Sequence, residues 1–187
     1  AKVSTDVQQM VAWKDGIVEQ LTGGVKQLCR ANGVRLLDGT AAFRDNNSVT
    51  VDSIDGPEII QFKHAIIATG SRPIELPGFS FDADPIGDSQ SALAADDTPD
   101  RLLIIGGGYI GMELSTVYAK LGSQVTVIEM RDSIMPAYPE DLSDVVQRKA
   151  SAMGITFRFG EAAQRWREDD DDVIVTTQTE DGRSSEY

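Results

Sequence analysis

Four glycines and two acids in this chain have the types and spacing to hold a phosphorylated ligand. Gly106, Gly108 and Gly111 form a Gly-x-Gly-x-x-Gly turn, with Gly107 between the first two. The turn directly follows the apolar run "RLLII" and opens the amphipathic run "YIGMELSTVYAKL". Each glycine has its own task in such a turn. Gly106 makes the bend, Gly108 lets a pyrophosphate approach the main chain, and Gly111 lets helix and strand pack closely. The helix start then offers unpaired N–H groups and a positive dipole end to the phosphates. Eighteen residues past Gly111, at the end of "QVTVIE", stands Glu129. A carboxylate there accepts hydrogen bonds from ribose hydroxyls and repels a 2′-phosphate, which favours NAD over NADP. Arg131 is the opposing signal, since an arginine near this point accommodates a 2′-phosphate. Glu113 reads either as a carboxylate in the first helical turn, favoured by the dipole, or as a group facing the nicotinamide.

The elements that must position these residues are legible as periodicity. Strand 101–105, the glycine turn, a helix over about 110–121 and a strand over 124–129 form a βαβ unit, with Gly122 as the helix stop. The expected apolar face of that helix is Ile110, Leu114, Val117, Tyr118 and Leu121. A further helix follows with Pro139 in its first turn and Gly154 at its end, and then strands near 155–159, 162–167 and 173–179. "DDDD" at 169–172 is most simply a solvated turn; a calcium site is the remote alternative, because the ordered spacing of a calcium loop is missing. "EDG" at 180–182 starts a return strand that reaches Tyr187.

Upstream, Val7, Met10, Val11, Lys14, Val18, Leu21, Val25 and Leu28 make one stripe of a long helix over 6–32, ended by "ANG". Short strands are expected at "VRLL", "TAAF", "SVTV", "EIIQF" and "AIIAT", the last of them buried. "SRPIELPGF" is an irregular, proline-punctuated connection, and Ser89 is the expected N-cap of a short helix through "QSALAA". "DDTPD" reads as a linker and places a domain boundary near Pro99, giving domains 1–98 and 99–187.

Composition bounds the setting. The 187 residues suffice for a real core, and no apolar run approaches the ~20 residues that span a bilayer. No signal-peptide pattern opens the chain, and the single cysteine, Cys29, forms no internal disulfide, so a soluble cytoplasmic protein without membrane attachment is the default. Thirty acids, twenty of them Asp, face seventeen bases, only six of them Lys, for a formal charge of −13. Such a surface suits concentrated salt, where self-repulsion is screened; an ordinary acidic cytosolic protein is the plainer reading. Nucleic acid is an unsuitable partner, because nothing neutralises phosphates in bulk.

At three places the residues resemble the dihydrolipoamide dehydrogenase family of pyridine nucleotide-disulfide oxidoreductases. "GGGYIGMELSTVYAKLGSQVTVIEMRDSIMP" is similar to its NAD-binding domain, "AIIATGSRPIELPG" to the segment where its FAD domain re-crosses the flavin, and "GTAAF" to the stretch that meets the flavin adenine. The acidity adds a halophilic-archaeal flavour. The resemblance implies an α/β, Rossmann-like, three-layer architecture with two dinucleotide sites, the FAD domain (1–98) incomplete and the NAD domain (99–187) largely present. It implies Gly106, Gly107, Gly108, Tyr109, Ile110 and Gly111 around the NAD pyrophosphate, Glu129 on the adenine ribose and Glu113 near the nicotinamide. Thr69, Gly70 and Ser71 line the FAD in this reading, and Ala41 offers its backbone to the flavin adenine. It further implies oxidation of dihydrolipoamide with hydride passing through FAD to NAD, a homodimer, and a lipoyl domain of a 2-oxoacid dehydrogenase complex as partner.

Departures accompany the matches. The family's first glycine motif, its Cys-x4-Cys pair and its closing His–Glu domain have no counterpart here, so the chain reads as an internal piece of a longer enzyme. It then carries mainly the NAD site, holds no catalytic or metal-binding residue of its own, and is inactive alone. Cys29 and the only histidine, His64, read as structural. Another disulfide reductase, an NADH-oxidase-type flavoprotein and a non-catalytic NAD-binding module are the alternatives.

Overall fold

The computed structural model describes residues 5–170 and 172–187. Its elements are α1 (Val7–Ala31), β1 (Thr40–Asp45), β2 (Ser48–Ser53), β3 (Gly56–Gln61), α2 (Ser89–Ala94), β4 (Arg101–Ile105), α3 (Tyr109–Leu121), β5 (Gln124–Glu129), α4 (Glu140–Ala152), β6 (Thr156–Phe159), β7 (Glu161–Asp169), β8 (Asp172–Thr179) and β9 (Ser184–Glu186). Two compact units divide the chain. Residues up to Ala12 join Pro73–Tyr187 in the first, and Trp13–Arg72 make the second.

The first unit is layered by the alternation of side chains along its strands. β4, β5 and β6 form a parallel sheet in that order, joined through α3 and α4. Successive side chains of a strand point to opposite faces. Accordingly Leu102 and Ile104 of β4, Val125 and Val127 of β5, and Phe157 and Phe159 of β6 all join one core. Met112, Tyr118 and Ala119 of α3, Val146 and Ala150 of α4, and Ala92 of α2 pack into the same core. Leu103 and Ile128 point the other way and meet Phe79, Val175 and Trp166 in a second core. The latter faces the antiparallel sheet β7-β8-β9, so helices, parallel sheet and antiparallel sheet make three layers. Arg158, between the two phenylalanines, turns to the second face and lies 5.2 Å from the Tyr187 ring centre. The acidic turn expected at 169–172 joins β7 to β8, with Asp170 at φ +54; Asp171 lies outside the described residues.

Two details differ from the periodic reading. The buried residues of α3 are Met112, Ser115 and Tyr118, whereas Ile110 and Val117 are exposed. Gly111 brings the start of α3 against Gly106 and Ile104, and of the expected face Tyr118 is buried and Leu114 and Leu121 half-buried, while Met112 and Ser115 complete the inner stripe. The N-cap of α2 is Asp88, not Ser89: its Oδ1 accepts from the N–H groups of Gln90 and Ser91, and Ser91 Oγ accepts from the Asp88 N–H. Aspartate binds two of the free amides that a helix start exposes. These bonds hold the Asp88 carboxyl below the usual carboxylate range.

In the second unit, β1, β2 and β3 make an antiparallel meander, tightened at Asp45, whose carboxylate accepts from Asn47 N–H and Ser48 Oγ. Gly33, at φ +69, ends α1 as the "ANG" signal requires. The helix expected over 6–32 stands as α1, and no residue of its apolar stripe is buried, Leu21 being 66% exposed. Two strand expectations fail here. "VRLL" and "AIIAT" join no ladder, and Ile66 of the latter is 94% exposed rather than buried. A strand exists only where a neighbouring strand accepts its main-chain bonds, and none of the described strands pairs with these segments; the Val34 N–H instead closes back on the Cys29 carbonyl, and Arg35 pairs with Glu58 through its side chain. His64, expected at the start of that last strand, is exposed outside regular structure.

Tyr118 ties α3 to α2 by donating its hydroxyl to the Ala92 carbonyl at 2.7 Å. Tyr118→Phe is expected to lower unfolding free energy by about 1 kcal/mol at neutral pH, the worth of one such bond. Burial pushes the Tyr118 phenol up, and burial followed by the bond to Glu161 does the same to Tyr187. The unfolded chain therefore releases these protons first as pH rises. Stability falls from the ordinary phenol range near pH 10 upward. Denaturant titrations across that window check both effects, the Phe variant losing less with pH than the parent.

Candidate functional site

The glycine turn sits where β4 ends and α3 begins, and four of the main-chain polar groups of Gly106–Gly108 have identifiable partners. Gly106 adopts φ +106, open to glycine and disfavoured for residues with a Cβ. Its N–H donates to the Ile128 carbonyl at 2.8 Å, tying the turn to β5. A Cβ on Gly111 would overlap the Gly106 carbonyl oxygen, so that glycine is required by helix–strand approach, as expected. Gly107 is buried, and a Cβ there would stand 3.1 Å from Ile134 and 3.4 Å from Glu129.

Gly108 differs from its neighbours. Its φ of −69° and ψ of 176° suit any residue, and a Cβ would meet nothing within 4 Å. It is exposed and serves as N-cap of α3 without a side-chain cap, so the helix start presents its free N–H groups to open space. Tyr109 and Ile110, the next two expected site residues, are exposed on the first turn beside it.

Glu129 closes the back of the turn. It is only 8% exposed, and its two carboxylate oxygens are engaged separately. Oε2 accepts from the Gly107 N–H at 2.8 Å and Oε1 from the Arg131 N–H at 2.9 Å. The residue expected to grip a ribose is thus a strut for the glycine turn. Beyond it, Ile134 is fully buried against Gly107, and Met135 N–H donates to the Gly107 carbonyl at 2.8 Å. Sequence reasoning missed the roles of Ile134 and Met135, whose one signal was an apolar pair in a polar segment. Arg131 is anchored by its main chain, its carbonyl accepting from Gly160 N–H at 2.9 Å, and its side chain is exposed.

The remaining expected residues fall elsewhere. Glu113 is exposed on α3, and it is the fifth helical residue, past the first turn rather than in it, so the dipole reading does not apply. Ala41, Thr69, Gly70 and Ser71 belong to the second unit. Ala41 lies exposed in β1 opposite Val51, and 69–71 is exposed chain outside regular structure, with Gly70 at φ +80. Cys29 is half-buried at the end of α1, where its carbonyl accepts from Val34 N–H at 2.9 Å.

Removing the Glu129 carboxylate strands two amides, one of them buried. Glu129→Ala is expected to destabilise the protein by about 2 kcal/mol with no nucleotide added, the cost of unpaired buried donors. Chemical denaturation measures the loss, and faster hydrogen exchange of the Gly107 amide localises it.

Dihydrolipoyl dehydrogenase of Haloferax volcanii is 54% identical over 185 residues, covering 97% of this chain and 39% of that protein. The Halobacterium salinarum protein of the same name is 51% identical, covering all of this chain and 40% of its own length. That of Geobacillus stearothermophilus is 40% identical, covering 93% and 37%. The chain spans about two fifths of the length of these relatives. Among solved structures, LpdA of Mycobacterium tuberculosis superposes with a TM-score of 0.85 over the whole chain and 41% of its own, at 23% identity. An HOCl-induced flavoprotein disulfide reductase of Escherichia coli gives 0.76 over 97% and 41%, at 24% identity. These likenesses bear on the fold alone, and they support the Rossmann-like α/β architecture. A family profile matches residues 2–187, so the chain belongs to the pyridine nucleotide-disulphide oxidoreductases.

Proposed function

We propose that this chain carries the NAD site of a dihydrolipoyl dehydrogenase that oxidises dihydrolipoamide and passes hydride through FAD to NAD. Residues 99–187 supply the NAD domain and residues 1–98 part of the FAD domain. The relatives' names support the activity, and the family supports the pair of cofactors. In the whole reaction a dithiol becomes a disulfide, two electrons and one proton reach NAD as hydride, and the second proton goes to solvent. Bound NAD supplies the hydride-accepting carbon.

One observation carries the NAD assignment: no atom of the described protein requires a glycine at 108. Gly106, Gly107 and Gly111 answer to backbone conformation or to close neighbours, whereas Gly108 has ordinary dihedrals and empty space at its Cβ. A bare backbone there serves something outside the fold, and uncapped N–H groups beside an exposed glycine suit the pyrophosphate. In this reading Gly106, Gly107, Gly108, Tyr109, Ile110 and Gly111 hold the pyrophosphate, Glu129 holds the adenine ribose, and Glu113 lies near the nicotinamide. Thr69, Gly70 and Ser71 line the flavin, and Ala41 meets its adenine. The buried carboxylate disfavours the doubly charged 2′-phosphate of NADP.

The proposal extends to a homodimer in the cytoplasm whose partner is the lipoyl domain of a 2-oxoacid dehydrogenase complex. No described helix is long and apolar enough to cross a membrane. The Asp-rich charge of −13 agrees with relatives from salt-loving archaea.

Gly108→Ala tests the site cleanly. Its methyl projects into open space, so unfolding free energy should change by less than about 1 kcal/mol. Calorimetry with NADH in molar KCl should nevertheless show affinity weakened by roughly tenfold or more, because the methyl occupies the pyrophosphate's approach. Unaltered affinity, or no NADH binding by the parent protein, removes the assignment.

A further inference from the structure

We propose that Met135 is a positioning residue for the pyrophosphate, acting through its main chain: its left-handed turn holds the Gly107 carbonyl and so aims the Gly108 N–H out of the fold. The inference rests on the NAD reading above.

Met135 adopts φ +50, a conformation that L-residues with side chains disfavour. Only one other described non-glycine residue does so, Asp170, which sits in a solvent-exposed turn. Backbone held in such a region persists where its surroundings over-determine it, and it gathers at functional sites. Three constraints act on Met135. Its N–H is bonded to the Gly107 carbonyl at 2.8 Å, its side chain packs against the main core, and fully buried Ile134 precedes it.

The consequence runs through peptide geometry. Among the described residues the only cis peptide bond joins Asp84 to Pro85, so the Gly107–Gly108 bond is trans. In a planar trans peptide the C=O and N–H point in opposite directions. Fixing the Gly107 carbonyl toward Met135 therefore fixes the Gly108 N–H away from the 134–135 segment. The preceding peptide is locked as well, because the Gly107 N–H is held by Glu129 Oε2. The Gly108 carbonyl is committed to Met112 N–H at 2.9 Å, the first bond of α3. Among these groups the Gly108 N–H is the one aimed into open space.

A packing role and a positioning role rank substitutions at Met135 oppositely. Valine keeps an apolar side chain but resists φ near +50, whereas glycine and asparagine adopt it readily and discard the packing. The test measures ADP-ribose and adenosine affinity by calorimetry on the full-length protein with saturating FAD, beside thermal unfolding. Met135→Val is expected to weaken ADP-ribose roughly tenfold or more, the worth of a hydrogen bond to a charged group, and to leave adenosine within about twofold. Met135→Gly and Met135→Asn are expected to keep parental ADP-ribose affinity even where they lower the unfolding temperature. Parental affinity in the valine variant, or loss in the glycine and asparagine variants equal to that in valine, overturns the positioning role while leaving the NAD site standing. No ADP-ribose binding by the parent overturns both. If the valine variant does not fold, the glycine and asparagine variants decide: retained affinity supports the role, and lost affinity ends it.

Discussion

The glycine turn depends on one buried carboxylate having main-chain partners. Glu129 ends β5 with little exposure, and a buried charge is tolerable only when hydrogen-bonded. Its two oxygens are satisfied by Gly107 N–H on one side and Arg131 N–H on the other. This single side chain thereby joins the loop after β4 to the loop after β5, the two edges of the crevice at the carboxyl ends of parallel strands where open α/β sheets bind ligands. The second loop returns the favour through Met135, whose N–H takes the Gly107 carbonyl. A turn of bare glycines, which on its own loses more conformational entropy than any other sequence, is thus held from both sides before any ligand arrives.

Such preorganisation follows from how the sheet is filled. Because β5 sends Val125 and Val127 to the helical side and Ile128 to the antiparallel sheet, both of its faces are buried, and Glu129 falls at the point where the apolar run stops. The period of two then returns Glu129 to the side of Val125 and Val127, toward the helix start and the glycine turn. The polar end of a hydrophobic strand is delivered to the free N–H groups of the neighbouring loop by alternation alone.

Much of the first unit was legible in the sequence for the same reason. Continuous apolar strands, a glycine turn, the stop at Gly122 (φ +114) and the helix after Pro139 are local signals, and each of these elements stands where its signal lay. What failed was what local signals do not encode. The face of α3 is chosen by how near the helix lies to the sheet, so Ser115 is buried while Ile110 is not. "VRLL" and "AIIAT" have strand composition, yet strand structure is a property of a pair, and no described segment supplies the second member. At the site, the glycines and Glu129 were readable as types at a spacing. The bond between Glu129 and Gly107, and the part of Ile134 and Met135, were not, because they join residues more than twenty positions apart through main-chain atoms that carry no residue-type signal.

The acidic surface bears on why the site is built this way. With thirty acids against seventeen bases, this chain carries a net charge of −13 that opposes long-range attraction of an anionic ligand. The ion pairs of the described residues lie on exposed side chains, where salt screens them. The groups bonded to the glycine turn are main-chain amides and carbonyls and one carboxylate. Short hydrogen bonds from fixed peptide dipoles act well inside the Debye length, so concentrated salt weakens them far less than it weakens long-range attraction to a basic patch. In the proposed NAD reading, a phosphate site made of backbone needs no positive side chains, which suits a protein whose net charge of −13 repels an anionic ligand at a distance.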